Sequence, residues 1–196
     1  SSAASDVYKR QLGTDYRIAA GLRYRVLDDN TGYIRCATFA YNFGEGNLDN
    51  IMLYLAPCNG LIVDLRDNGG GQLTAAEQLA ARFTNERLLV GYMQHKTGKA
   101  HTAFSEMKSQ YLKPSKGIRW QKRVVVLTNR AVYSAANEFV KYMRCCPNVT
   151  VVGDCTGGGA GMPYSTELPN GWSVRFSACP MYDKDKNLSL IHISEP

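Results

Sequence analysis

The chain has 196 residues, of which 44% are hydrophobic and 20% charged, and its formal net charge is +6. This is the composition of an ordinary globular domain that is large enough to bury a core. No apolar run approaches the roughly 18 residues of a membrane helix, so we expect no membrane span in this sequence. The basic residues are scattered apart from a looser group between 113 and 123. Because few aromatic residues interleave with that group, it indicates a solvated loop rather than a nucleic-acid surface.

The two ends of the chain do not read as parts of a domain. Residues 1–11 resemble an in-frame translation of a transposon-based sequencing adapter, and residues 188–196 resemble the matching adapter read from the other end. Such segments are set aside before a fold is considered. We therefore predict that residues 12–187 form a single fragment of native sequence, cut at both ends from a longer gene.

The cysteines give no metal-site pattern. There is no C-x-x-C spacing, and the three histidines are not placed to complete a ligand set. Several cysteines lie inside apolar runs, where a free thiol behaves as a small hydrophobic group. Buried free thiols are thus the favoured interpretation, and a disulfide in an oxidising compartment is the alternative. The six residues are Cys36, Cys58, Cys145, Cys146, Cys155 and Cys179.

The first elements in chain order are a pair of strands and a helix. Residues 22–27 and 32–39 alternate between apolar and polar types, which predicts strands joined by a turn. The spacing of the next apolar residues predicts a helix capped by Asn47 or Asp49. Gly60 ends that helix.

A buried strand and a glycine turn follow. Residues 61–65 are a continuous apolar run interrupted by one aspartate, which is typical of a parallel strand buried on both faces. Residues 74–83 have helical spacing, and residues 88–94 have the character of a strand. The polar stretch 98–121 is predicted to be irregular.

The last third repeats the pattern and then changes character. Residues 124–127 predict a second buried strand, residues 135–143 its following helix, and residues 149–152 a third strand. The repeated alternation of strand and helix indicates an α/β fold with a largely parallel sheet. A glycine-rich loop then leads into a terminal β-hairpin made of residues 164–168 and 172–179.

The candidate chemistry lies where the two buried strands end. The glycine run after the first strand has free backbone N–H groups, and Ser134 stands where the second strand turns into a helix. A serine beside such amides is an arrangement for acyl transfer. We predict that Ser134 is the nucleophile and that the N–H groups of Ala135 and of Gly69 or Gly70 hold the oxyanion. Taken alone, Ser134 reads as a helix N-cap and the glycine run as a tight turn.

The base that would deprotonate Ser134 is not fixed by the pattern. His95 and His101 lie in or near the irregular stretch, and either is a candidate. A residue outside the fragment is the third choice. Asp64 and Arg66 crowd the end of the first buried strand, where we expect a structural ion pair or a turn cap.

Three ordered elements of this sequence resemble the tail-specific, or C-terminal processing, serine peptidase family. They are the G-x-I-x-D-x-R-x-N-x-G-G element at 60–71, the nucleophile element at 133–139 and the V-x-G-x-x-T-x-G element at 151–158. The resemblance runs from about Tyr33 to about Tyr182. It implies a crotonase- or ClpP-like layered core, and hydrolysis of peptide bonds near the C-terminus of a polypeptide. The resemblance points to no cofactor and no metal, and it leaves the oligomeric state open. It favours a location in the bacterial cell envelope or periplasm.

One departure from the family pattern concerns the base. Processing peptidases that use a lysine base carry it just after the third element, where this chain has Gly159. The chain is in this respect more similar to the tricorn-like branch, which uses a histidine further upstream.

Two alternative functions stay open. One is a non-catalytic member of the same fold that binds a peptide or apolar ligand, and the other is a crotonase-like acyl-CoA enzyme.

Overall fold

The structure is a computed structural model that describes residues 13–188. The predicted adapter segment 1–11 and all but the first residue of 188–196 lie outside the described residues. The strands are β1 (Arg17–Ala19), β2 (Leu22–Val26), β3 (Thr31–Arg35), β4 (Gly60–Asp64), β5 (Leu88–Met93), β6 (Lys108–Leu112), β7 (Val124–Thr128), β8 (Val149–Gly153), β9 (Pro163–Glu167), β10 (Ser173–Ser177) and β11 (Met181–Tyr182). The helices are α1 (Glu45–Leu55), α2 (Leu73–Ala80), a 3-10 turn (Ala81–Phe83) and α3 (Ala135–Arg144).

The main sheet has six strands in the order β1-β2-β3-β4-β7-β8. The neighbours β3, β4, β7 and β8 are parallel, whereas β1-β2 and β2-β3 are antiparallel. The predicted α/β class with a largely parallel sheet is therefore confirmed. Because parallel strands share a direction, the turns that follow β4, β7 and β8 all leave the sheet at the same edge.

The central strands and the long helix supply much of the core. Leu61 and Val63 of β4 and Val126 of β7 are buried. Ile62, Val125 and Leu127, on the other face, are only partly buried, so the prediction of strands buried on both faces holds in part. Every residue of α3 from Ala135 to Met143 is buried as well. This helix is therefore held by packing along its whole length, which fixes the position of the residue that precedes it.

The predicted ion pair at the end of β4 is confirmed. Asp64 is fully buried and accepts hydrogen bonds from the Arg66 side chain (Nε, 2.9 Å), the Arg66 backbone N–H (3.0 Å) and the Tyr33 hydroxyl. Burial alone would raise the pKa of Asp64, but these hydrogen bonds and the charges of Arg35 and Arg66 outweigh it and lower that pKa. The carboxylate thus anchors the strand end from which the glycine turn departs.

The start of α1 corrects the sequence prediction. The helix begins at Glu45 after Gly44, so the predicted caps Asn47 and Asp49 lie inside it. Asp49 instead pairs with the fully buried guanidinium of Arg82 and accepts a hydrogen bond from a loop N–H. A buried arginine needs carboxylate partners, and this need overrode the local capping preference.

Two further boundaries differ from prediction. The stretch 98–121 contains β6, which pairs with β5 in a small sheet that also includes β11. Most residues of β6 are exposed and polar, so this segment lacks the alternation of apolar and polar residues that predicts a strand. The predicted strand 32–39 ends at Arg35, because the chain then leaves the sheet and Phe39 forms a single bridge to Gly71.

The cysteines are all free thiols in the described residues. Burial raises the pKa of Cys36 and that of Cys146 to about 12 in each case, so both thiols stay protonated at neutral pH. None of the helices between residues 13 and 188 has the length and apolar character needed to cross a bilayer.

Candidate active site

Three turns meet at the edge where β4, β7 and β8 end. Asn68 of the first turn is fully buried and joins this turn to the end of β3 and to the turn that follows β7. Its side-chain amide donates to the Cys36 carbonyl at 3.0 Å, its Oδ1 accepts from the Gly70 N–H at 2.9 Å, and its own carbonyl accepts from the Tyr133 N–H at 3.0 Å. One residue therefore joins the end of β3, the glycine turn and the turn that follows β7.

Ser134 has a backbone conformation that non-glycine residues rarely adopt. Its φ is 57° and its ψ is −124°. The Ser134 N–H donates to the Gly158 carbonyl at 2.9 Å, and its carbonyl accepts the Glu138 N–H at 3.0 Å as α3 begins. Such strain costs on the order of 1–3 kcal/mol and persists only where the surroundings enforce it. Here the enforcing hydrogen bonds come from the turns on either side, which is the geometry of a nucleophile elbow.

Gly70 lies against the elbow. Its φ is +100°, and a Cβ there would be 2.6 Å from the Tyr133 carbonyl oxygen and 2.8 Å from the Ser134 Cβ. Only glycine allows the two turns to approach this closely. The Gly70 N–H is already engaged by Asn68, so the structure places Gly70 beside Ser134 with its donor in use.

Free amide donors nevertheless surround the serine. Within residues 13–188 the N–H groups of Gly69, Gly71 and Ala135 make no hydrogen bond. Gly69 and Gly71 line a cavity of about 550 Å³ together with Ser134, and Ala135 lines a second cavity of about 390 Å³ on which Ser134 also borders. Ala135 opens α3, where the helix dipole favours negative charge. Unpaired N–H groups of this kind are what an oxyanion hole for acyl transfer requires.

The two candidate histidines lie elsewhere. His95 follows β5, with its Nδ1 3.2 Å from the Cys179 Sγ, and His101 is exposed in the loop beyond it. Neither lines the two cavities that border on Ser134. Between residues 13 and 188 the Ser134 hydroxyl has no hydrogen-bond partner. The described residues thus bring the serine and amides together, but they do not bring a base to it.

Gly159, the residue just after the third sequence element, packs against Tyr133. Its φ is +78°, and a Cβ at this position would lie 2.1 Å from the Tyr133 ring. Because the ring occupies the space, this backbone cannot carry a lysine without rearranging. The packing of Tyr133 therefore favours glycine at this position.

A buried contact between the third turn and α3 was not predicted. The Thr156 hydroxyl donates to the Asn137 side-chain oxygen at 2.7 Å, and both residues are fully buried. The threonine of the third sequence element is the signal that could have indicated it. In the part of the chain that the structure describes, no group of histidine, cysteine or acidic residues is arranged to hold a metal ion.

Comparison with known proteins identifies the family. The sequence profile of Peptidase family S41 matches residues 30–192, which include the first residues of the predicted C-terminal adapter segment. The chain is 24% identical over 159 residues to the carboxy-terminal processing protease CtpA of Bacillus subtilis (strain 168), covering 81% of this chain and 32% of CtpA.

Solved structures with a similar fold include the following two. A candidate peptidase from Parabacteroides merdae ATCC 43184 is 49% identical with a TM-score of 0.92, covering 97% of this chain and 61% of that protein. A lipoprotein from Streptococcus agalactiae is 21% identical with a TM-score of 0.65, covering 97% and 68%. The chain thus spans less than two thirds of the first of these proteins and about a third of CtpA. Its profile match shows that the chain belongs to peptidase family S41.

The geometry around Ser134 predicts that alanine is tolerated at Gly69 and not at Gly70. Gly70→Ala should lower the free energy of unfolding by about 2–4 kcal/mol, because the new Cβ meets backbone atoms and the φ is unfavourable. Gly69→Ala is the matched control, since a Cβ there meets nothing within 4 Å. Urea denaturation of both variants measures the difference. Equal stabilities would contradict the close approach of the two turns.

Proposed function

We propose that this member of peptidase family S41 hydrolyses peptide bonds of polypeptide substrates close to their C-termini, with Ser134 as the nucleophile. The observation that carries the proposal is the strained elbow at Ser134 with unpaired amide donors on both sides. The similarity to CtpA, a carboxy-terminal processing protease, supports the reaction and the region of attack. The proposal concerns a longer native protein, of which we take residues 12–187 to be one fragment. Its layered architecture would follow that of crotonase and ClpP.

The reaction would proceed by acyl transfer. The Ser134 oxygen attacks the peptide carbonyl and gives up its proton, and the carbonyl oxygen becomes an oxyanion held by the N–H groups of Ala135 and Gly69. Gly70 supports the turn rather than the oxyanion, because its N–H is engaged by Asn68. The proton passes to the leaving amine, the bond to the amine breaks, and water then releases the acyl group from Ser134.

We propose that the general base is a histidine of the native protein other than His95 and His101. His95 is in contact with Cys179, and His101 is on an exposed loop, so neither is the preferred choice. The glycine at 159 supports a relationship to the tricorn-like branch, in which a histidine takes the role of the lysine.

The larger cavity supports action near a C-terminus. Arg175 of β10 is the one charged side chain among the described residues that line the 550 Å³ cavity beside Ser134. A guanidinium binds a carboxylate through paired N–H donors. We therefore assign Arg175 to the terminal carboxylate of a short segment that follows the cleaved bond.

The predicted location in the cell envelope stays a proposal. A lipoprotein shares the fold, which is compatible with a site outside the cytoplasm. The cysteines do not add support for an oxidising compartment, since all of them are free thiols in the described residues.

A binding protein without catalysis is the second candidate. It is favoured by one observation, namely that no group in residues 13–188 receives a hydrogen bond from the Ser134 hydroxyl or donates one to it. Such a protein would use the same two cavities to hold a peptide.

Hydrolysis assays separate the two candidates. The native protein should cleave an unfolded polypeptide, and Ser134→Ala should reduce kcat by about 10³-fold or more, because the nucleophile is lost. Ser177→Ala is the matched control, since Ser177 lines the same cavity and should tolerate the change. Cleavage that survives in Ser134→Ala, or none by a folded native protein, would contradict the peptidase proposal.

Arg175 generates a prediction about the substrate terminus. Arg175→Gln should raise KM about tenfold or more for peptides with a free C-terminal carboxylate, since a charge-assisted hydrogen bond contributes about 1.5–3 kcal/mol. The KM for C-terminally amidated peptides should not change. Arg130→Gln serves as the control, because Arg130 is exposed and bridges Asp154 outside the cavity. Equal effects on both peptide types would exclude the carboxylate assignment.

A further inference from the structure

A thiol and an imidazole meet beside the small sheet, outside the two cavities that border on Ser134. The Nδ1 atom of His95, just after β5, lies 3.2 Å from the Sγ atom of Cys179, which precedes β11. Neither residue lines either cavity. The proposed peptidase chemistry therefore does not use this pair.

Backbone hydrogen bonds hold both members of the pair in place. The Gln94 N–H donates to the Pro180 carbonyl at 3.0 Å, which continues the pairing of β5 with β11 next to the two side chains. The His95 N–H donates to the Ser105 hydroxyl at 3.0 Å, and the His95 carbonyl accepts the Ser105 N–H at 2.8 Å. The contact between nitrogen and sulfur is thus set by the pairing of two chain segments.

A thiol that contacts an imidazole has a route to its reactive form. When Nε2 carries the ring proton, the Nδ1 atom of His95 can accept the proton of the Cys179 thiol. The thiolate that results is the nucleophilic form of cysteine, and an adjacent imidazolium stabilises its charge. The geometry therefore predicts that Cys179 reacts readily with electrophiles.

Other cysteines of the chain have less favourable surroundings. Burial raises the pKa of Cys36 and that of Cys146 to about 12, so these two thiols keep their protons. Cys155 is more exposed than Cys179, but its N–H donates to the Asp154 carboxylate at 2.7 Å. A neighbouring negative charge disfavours a thiolate. Cys155 is therefore an internal reference, namely a more open thiol with a carboxylate rather than an imidazole as its neighbour.

The covering of Cys179 limits which electrophile can reach it. Cys179 is 9% exposed, and the histidine beside it is exposed. Hydrogen peroxide is small and uncharged, so it can reach a sulfur atom that has little contact with solvent. A tripeptide disulfide such as oxidised glutathione needs more room to attack. The class of reagent that fits this site is therefore a peroxide.

We propose that Cys179 and His95 form a peroxide-reactive site at which Cys179 is oxidised to a sulfenic acid. The thiolate attacks one oxygen of hydrogen peroxide, a sulfur–oxygen bond forms and the oxygen–oxygen bond breaks. The sulfur loses two electrons to the peroxide, and the proton held by His95 passes to the departing hydroxide to give water. This inference goes beyond the proposed function and does not depend on it, since Ser134 takes no part.

Oxidation kinetics of the native protein test this site. The protein is treated with hydrogen peroxide, the reaction is stopped with catalase at set times, and the chain is unfolded in dimedone. Each sulfenic acid is thereby trapped and located by mass spectrometry. We expect Cys179 to be oxidised at least tenfold faster than Cys155, although Cys155 is more exposed. Oxidised glutathione should form no mixed disulfide with Cys179 in the folded protein.

The variant His95→Asn isolates the role of the imidazole. Asparagine keeps a polar group near the sulfur but cannot take up its proton. The oxidation rate of Cys179 should therefore fall at least tenfold, while that of Cys155 stays unchanged. His101→Asn is the matched control, because His101 is exposed in the loop beyond the pair and should leave both rates as they are.

Each outcome bears on one part of the inference. Oxidation of Cys155 at the rate of Cys179 or faster would overturn the site, and this comparison needs no variant to fold. An unchanged rate at Cys179 in His95→Asn would overturn the role of the imidazole, and a mixed disulfide with glutathione would overturn the assignment to peroxide. Rapid oxidation of Cys179 in a protein that hydrolyses no peptide would contradict the proposed function and leave this site standing.

Discussion

The arrangement at this sheet edge depends on the hydrogen bonds that hold Ser134 at a positive φ. Asn68 binds the chain end of β3, the glycine turn and Tyr133 at once, and Gly158 holds the Ser134 N–H from the other side. Because α3 is buried from its first residue, the elbow cannot relax by moving the helix. A serine that would otherwise serve as a helix cap is thereby presented to two cavities, with free amides beside it. Packing and hydrogen bonds thus preorganise the arrangement on which the proposed acyl transfer depends.

Most of this framework was predictable from local sequence. The unbroken apolar runs of β4 and β7 and the turns that end them indicated the parallel sheet, the elbow and the glycine turn. The failures come from contacts between distant segments. Asp49 left its predicted role as a helix cap because the buried Arg82 required carboxylates, and β6 was hidden by its polar exposed residues. That Asn68 occupies the Gly70 amide also follows only from the folded turn, so spacing could not distinguish Gly69 from Gly70 as the amide donor.

Two cavities border on Ser134, and the exposed Arg175 lines the larger of them. The terminal carboxylate of a polypeptide tail has the charge that complements the role proposed for Arg175. The base is the part that the described residues do not bring to Ser134. The Tyr133 ring packs against Gly159, and the histidine proposed as the base belongs to another segment.

The most direct measurement is active-site labelling of the native protein with a fluorophosphonate probe, followed by peptide mapping with mass spectrometry. An activated serine attacks the phosphorus and keeps the phosphonate group, whereas a serine that only caps a helix does not react at a useful rate. The account predicts a single adduct on Ser134 that is absent from Ser134→Ala and still forms in Ser177→Ala. A folded native protein that remains unlabelled, or that carries its adduct on another residue, would contradict the assignment of Ser134 as the nucleophile.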